Sequence, residues 1–123
     1  MEQKTILVAD DETHILNVVS LKLKNAGFRV VTARDGQEAL ELAQQEQPDL
    51  LITDHNMPHM TGLELCQKLR EDSRFDRMPA IMLSARGFQL EERDTAASGI
   101  RMMISKPFSP REVLTAVEQV LAA

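Results

Sequence analysis

Five side chains able to bind, attack or neutralise charge stand at the ends of short apolar runs. Asp10 and Asp11 follow Ile6 to Ala9, and Asp54 closes the run that begins Leu50 to Ile52. Ser84 follows Ala80 to Leu83, and Lys106 comes two residues after Met102 to Ile104. Three carboxylates within a few ångströms of one another repel and are costly unless a cation bridges them. Oxygen ligands of this kind call for Mg²⁺, which takes one or two carboxylates and keeps some of its water. Lys106 is a fixed positive charge able to pair with a carboxylate or with phosphoryl oxygens, and Ser84 can donate a hydrogen bond to such an oxygen. These are parts for phosphoryl transfer. A carboxylate can itself be the nucleophile and form an aspartyl phosphate, and Asp54 stands centrally between the acid pair and the serine and lysine. Any one of the five alone reads as a solvated loop charge; all five at strand ends read as a site.

The elements that must position them follow from the apolar pattern. Ile6 to Ala9, Leu50 to Ile52, Ala80 to Leu83 and Met102 to Ile104 are continuous runs, as burial on both faces of a parallel sheet demands. Arg29 to Ala33 is more polar and suits an edge strand. Helical patterns lie between the runs. Val113, Leu114, Val117, Val120 and Leu121 form one apolar stripe, opened by Ser109-Pro110-Arg111-Glu112 with a capping-box serine and glutamate and proline at the first helical position. Asp35 to Glu38 and Thr61 to Glu64 have the same cap spacing. Pro48 stops the helix that Ala39, Leu40 and Ala43 support, and the first helix, around Ile15, Val19 and Leu23, ends near Gly27. Leu90 to Ser98 has the thinnest apolar face and is expected to be the most mobile helix. Strand and helix alternate five times without linker or repeat. The expected fold is therefore one α/β domain over residues 1–123, doubly wound, with a five-stranded parallel sheet and helices on both faces. Ligands of such sheets bind beyond the carboxyl ends of the strands, where the five residues stand.

Composition narrows the function classes. Lys+Arg 14 against Asp+Glu 19 leaves a net charge of −5 without basic blocks, so the chain has no electrostatic footprint for nucleic acid or an anionic membrane. Aromatic residues are 3% of the chain, all Phe, which leaves little surface for stacking bases or sugars. The single cysteine, Cys66, excludes an intrachain disulfide and reads as a small buried hydrophobe. No apolar run reaches the length of a membrane span, and a cytoplasmic protein is expected. His14, His55 and His59 read as exposed loop residues instead of a metal set, because Pro58 breaks any helix that would align the last two.

Pro48 to Gly62, with Asp54-His55-Asn56-Met57-Pro58 at its centre, resembles the phosphoacceptor segment of bacterial two-component response regulator receiver domains. Lys106-Pro107-Phe108 resembles that family's lysine motif. The resemblance covers essentially the whole chain and implies a flavodoxin-like sheet of order 2-1-3-4-5. It implies that Asp54 takes a phosphoryl group from a sensor histidine kinase or phosphotransfer protein, and that Ser84 and Lys106 contact that group. Asp11, Asp54 and the Asn56 carbonyl become direct Mg²⁺ ligands, with Asp10 acting largely through metal-bound water. A phosphoacceptor signalling protein, not an enzyme on an external substrate, is the function so implied.

Two rivals are weaker. A haloacid dehalogenase type of hydrolase places its nucleophile and second acid as Asp-x-Asp after the first strand, whereas Asp54 is followed two residues on by Asn56. A receiver-like adaptor that is never phosphorylated would not need Asp11, Asp54, Ser84 and Lys106 together. No output domain is expected, so the signal would leave through the face made by Leu90 to Ser98, the fifth strand and the last helix to a downstream protein partner. Arg86 is expected at the pocket rim as an attractor of anionic phosphodonors. The clearest departure from the family is Met103, three residues before the lysine, where most receivers carry Tyr or Phe.

Overall fold

Three of the apolar runs become strands in which every residue is buried: β1 (Thr5–Ala9), β3 (Leu50–Asp54) and β4 (Ala80–Ser84). The more polar run forms β2 (Arg29–Ala33), and the last strand is β5 (Ile100–Ser105). The computed structural model describes residues 3–85, 90, 91, 94 and 98–122. Its sheet is parallel throughout, in the order β2-β1-β3-β4-β5. β5 is thus an edge, and the expectation that Met102 to Ile104 is buried on both faces is corrected. Ile100 and Ile104 are buried, Met102 and Met103 half-buried, and Arg101 and Ser105 exposed. Arg101 is also skipped in the pairing with β4, where Ala80 faces Ile100 and Ile81 faces Met102.

Helices cover both faces. On one side α1 (Thr13–Asn25) and the C-terminal helix, numbered α4 here (Pro110–Ala122), pack Leu16, Val19, Leu23, Val113 and Val117 against Ile6, Val8, Leu50, Ile52, Ile81 and Leu83. On the other, α2 (Gly36–Glu46) and α3 (Gly62–Arg70) pack Ala39, Ala43, Leu65, Cys66 and Leu69 against Leu7, Ala9, Leu51 and Met82. Successive strand residues alternate between the two cores, which is why an apolar run without alternation was needed.

The ends of the helices follow their signals. α1 stops where Gly27 takes φ +101, with the Gly27 N–H donating to the Lys24 carbonyl and the Phe28 N–H to the Leu23 carbonyl. α3 and α4 begin with reciprocal capping boxes, Thr61 with Glu64 and Ser109 with Glu112. α2 differs by one residue: Asp35 caps the Glu38 N–H, but Glu38 reaches back to the Arg34 N–H. The helix expected over Leu90 to Ser98 and the pocket position expected for Arg86 fall largely or wholly outside the described residues. Among those residues no helix is long and apolar enough to cross a membrane.

Candidate functional site

Parallel pairing brings the carboxyl ends of four strands to one edge. Ala9 faces Thr53, Asp54 faces Leu83 and Ser84 faces Ser105, so Asp10, Asp54, Ser84 and Lys106 are lateral neighbours. Two backbone bonds extend the ladder past the strands. The Lys106 N–H donates to the Ser84 carbonyl at 2.8 Å, and the His55 N–H donates to the Leu83 carbonyl at 2.8 Å. The Lys106–Pro107 peptide is cis.

Lys106 is the electrostatic centre. Its Nζ lies 3.1 Å from Asp54 Oδ1, 3.3 Å from Glu12 Oε1 and 3.5 Å from Asp10 Oδ2. Burial pulls this ammonium down, but the negative charges of Asp10, Asp54 and Glu12 outweigh it and the group is held above its ordinary value. Asp10 is fully enclosed, and burial pushes its carboxyl up to about 6 even though the Glu12 N–H donates to Oδ1 at 2.9 Å. Burial raises Asp54 too, with Lys106 pulling the other way. Ser84 is buried, and its hydroxyl is without a hydrogen-bond partner among the described residues, as is Asp10 Oδ2. Such groups are costly unless something is meant to meet them.

The donor chemistry fits a hard divalent cation. One carboxylate oxygen from each of Asp10, Asp11 and Glu12 can be taken within 4.8 Å of the others, and Asp10 also carries a buried oxygen, Oδ2, without a hydrogen bond among the described residues. Asp11, Glu12, Asp54, Asn56 and Lys106 line a cleft of about 760 Å³, whose apolar wall is Ile15, Val18, Pro107 and Phe108.

Most of the residues singled out from sequence share this edge. Asp10 is buried just past the end of β1, Asp11 and Asn56 are exposed on the cleft wall, and Asp54 and Ser84 are buried at strand ends. Glu12 was missed. Its signal was its adjacency to the aspartate pair, but its contact with Lys106 spans 94 residues and needs the fold. The histidine expectation needs two corrections: His55 is half-buried, and His14 sits in the first turn of α1 at the cleft, not in a loop. His59 is exposed with φ 70 in the β3–α3 loop. Cys66 is buried, and burial pushes its thiol up to about 12.

Comparison with known proteins agrees with this geometry. Residues 6–118 match the family model described as response regulator receiver domain. The chain is 38% identical over 118 residues to the alkaline phosphatase synthesis transcriptional regulatory protein PhoP of Bacillus subtilis, covering 96% of this chain and 48% of that one. It is 39% identical over 119 residues to the probable transcriptional regulator ycf27 of Guillardia theta, covering 97% and 46%. The chain thus spans about half the length of these curated relatives. Among solved structures, the chemotaxis response regulator CheY4 of Vibrio cholerae superposes with a TM-score of 0.89 at 35% identity, covering 97% of this chain and 99% of that one. A sheet of order 2-1-3-4-5, an acid cluster beside a lysine at its carboxyl edge and a family match over nearly all its length place the chain in the response regulator receiver domain family of two-component signalling.

Proposed function

We propose that Asp54 is the phosphoacceptor of this receiver domain and that residues 1–123 act as one such domain. One observation carries the reading: the Asp54 carboxylate stands 3.1 Å from the Lys106 ammonium, beside a buried Ser84 hydroxyl with no hydrogen-bond partner among the described residues and a group of three further carboxylates. A carboxylate oxygen of Asp54 attacks phosphorus of a phosphohistidine on a sensor kinase or phosphotransfer protein. The O–P bond forms as the P–N bond breaks, and the imidazole nitrogen keeps the electron pair and takes up a proton. Lys106 pairs with the phosphoryl oxygens and Ser84 donates a hydrogen bond to one of them, which offsets the charge gathered on Asp54. Asp10, Asp11, Asp54 and the Asn56 carbonyl would hold Mg²⁺, with Glu12 beside them. When bound there, Mg²⁺ supplies neutralisation of the acid cluster and of the transferring group.

The phosphorylated domain then changes its binding to a downstream protein. The net charge of −5 supports a protein partner and not direct nucleic-acid contact by this domain, and the relatives named as transcriptional regulators are about twice its length. A cytoplasmic location fits a kinase donor. Incubation with acetyl phosphate, with and without Mg²⁺, followed by intact mass and peptide mapping, tests the assignment. A single phosphoryl adduct on Asp54 that requires the metal is expected. Modification elsewhere, or undiminished labelling of Asp54→Asn, would overturn it.

A further inference from the structure

The direction in which the Asp54 side chain leaves the backbone is set by the peptide group that follows it, and that group is gripped from two sides. The Thr53 side chain is fully buried, and its hydroxyl donates to the Asp54 carbonyl at 3.0 Å. Gly62, at the start of α3, lies against the same carbonyl. A Cβ on Gly62 would overlap the carbonyl oxygen and stand 3.1 Å from both the carbonyl carbon and the Cα of His55. All three of these are backbone atoms, so no side-chain rotation relieves the overlap, and either α3 or the Asp54 peptide must move.

The approach is fixed independently of any side chain at position 62. The Gly62 N–H donates to the His55 carbonyl at 2.9 Å, and His55 in turn donates to Leu83 of β4. The Thr61–Glu64 capping box closes the first turn of α3. Thr53 is also unusual in its place, because the three residues before it in β3 are Leu50, Leu51 and Ile52. Valine would fill nearly the same volume and suit a buried strand, so what the hydroxyl adds is its bond to the Asp54 carbonyl.

We infer that Thr53 and Gly62 are positioning residues for phosphoryl acceptance, holding the Asp54 peptide so that the carboxylate stands beside Lys106 and open to the cleft. This rests on the reading of Asp54 as the phosphoacceptor. With acetyl phosphate as donor, a carboxylate oxygen forms the new O–P bond while the bond from phosphorus to the acyl oxygen breaks and acetate leaves with the electron pair. The attacking oxygen must lie in line with that leaving group, and a misplacement of about 1 Å can cost on the order of a hundredfold in rate.

The test is a labelling time course on the full chain with acetyl phosphate at saturating Mg²⁺, for wild type, Thr53→Val, Thr53→Ser and Gly62→Ala. It is read as maximal rate constant and donor half-saturation, with thermal melts on the same samples. Thr53→Val is expected to lower the maximal rate about tenfold with half-saturation changed by less than about twofold, and Thr53→Ser to restore it. Gly62→Ala is expected to lose at least as much wherever it is folded. A folded Thr53→Val labelled at the wild-type rate overturns the inference, and so does a Thr53→Ser as slow as the valine variant. Wild type that takes no label on Asp54 removes the phosphoacceptor reading and this inference with it, so the wild-type arm tells the two failures apart.

Discussion

Asp10 and Lys106 form an unequal pair: Asp10 is fully enclosed, Lys106 Nζ is 3.5 Å from its Oδ2, and that oxygen has no hydrogen bond among the described residues. Asp10 binds a proton more tightly in the folded chain, at about 6, than at its ordinary value of 3.8. Between these values the folded state holds more protons than the unfolded one. Stability is therefore highest below about pH 4 as far as this group is concerned, and falls as pH rises toward 6.

The full effect is on the order of 3 kcal/mol. Asp10→Asn in metal-free buffer should consequently be more stable than wild type by about 1–3 kcal/mol at pH 7, with the gap closing toward pH 4. Urea unfolding across that range, with and without Mg²⁺, checks it. The metal should stabilise wild type far more than the variant, and a pH-independent gap would contradict the account.

Gly99 is expected to tolerate no side chain. It has φ +75, and a Cβ there would overlap the Arg70 guanidinium. That guanidinium is committed, donating to the Phe75 and Met78 carbonyls at 2.6 Å each. Gly99→Ala should cost about 2–4 kcal/mol, combining backbone strain with loss of these bonds. Chemical denaturation measures it, and a loss below that of an ordinary surface substitution would show that Arg70 can swing away freely.

Cys66 should be inert in the native state. Burial raises its thiol to about 12, leaving almost no thiolate at neutral pH. A disulfide reagent should modify it only at the rate of opening, and quickly once urea unfolds the chain. Fast modification of folded protein would place the thiol at the surface.

Met103 lies half-buried on β5, against the core that also holds Leu65 and Met82. A thioether has several rotamers available and lacks the rigid ring most receivers carry here. Coupling between Asp54 and the partner surface is expected to be looser than in aromatic receivers, with the active-like conformer appreciably populated without phosphate. Met103→Tyr should widen the ratio of phosphorylated to unphosphorylated partner affinity and reduce microsecond exchange seen by relaxation dispersion. An unchanged ratio at matched phosphorylation sinks the idea.

The parts legible in sequence were those fixed by local pattern or by strand ends. β1, β3 and β4 are legible because burial on both faces removes alternation, and Asp10, Asp54 and Ser84 stand out because each ends or follows such a run, while Lys106 stands out by following the apolar part of β5. β5 is less buried than its apolar run suggests, since the three residues Met102 to Ile104 do not distinguish a central strand from an edge. Nothing local in the sequence marks Arg70, because its grip on two carbonyls arises only when the turn after α3 folds back. Thr53 carries no local signal either, because nothing in the sequence tells a hydroxyl that is merely tolerated in a strand from one aimed at the next carbonyl.

The skipped residue in β5 matters beyond the site. A parallel sheet leaves two raw margins, each a row of backbone donors and acceptors that another chain could copy. Here one margin is interrupted at Arg101, which is exposed and out of register with β4. The other begins at exposed Arg29, whose guanidinium is tied to Glu46 of α2 at 3.0 Å. A further strand laid along either side would meet a kink or a charge within its first few residues. Both margins thus carry features that discourage the pairing of a sixth strand.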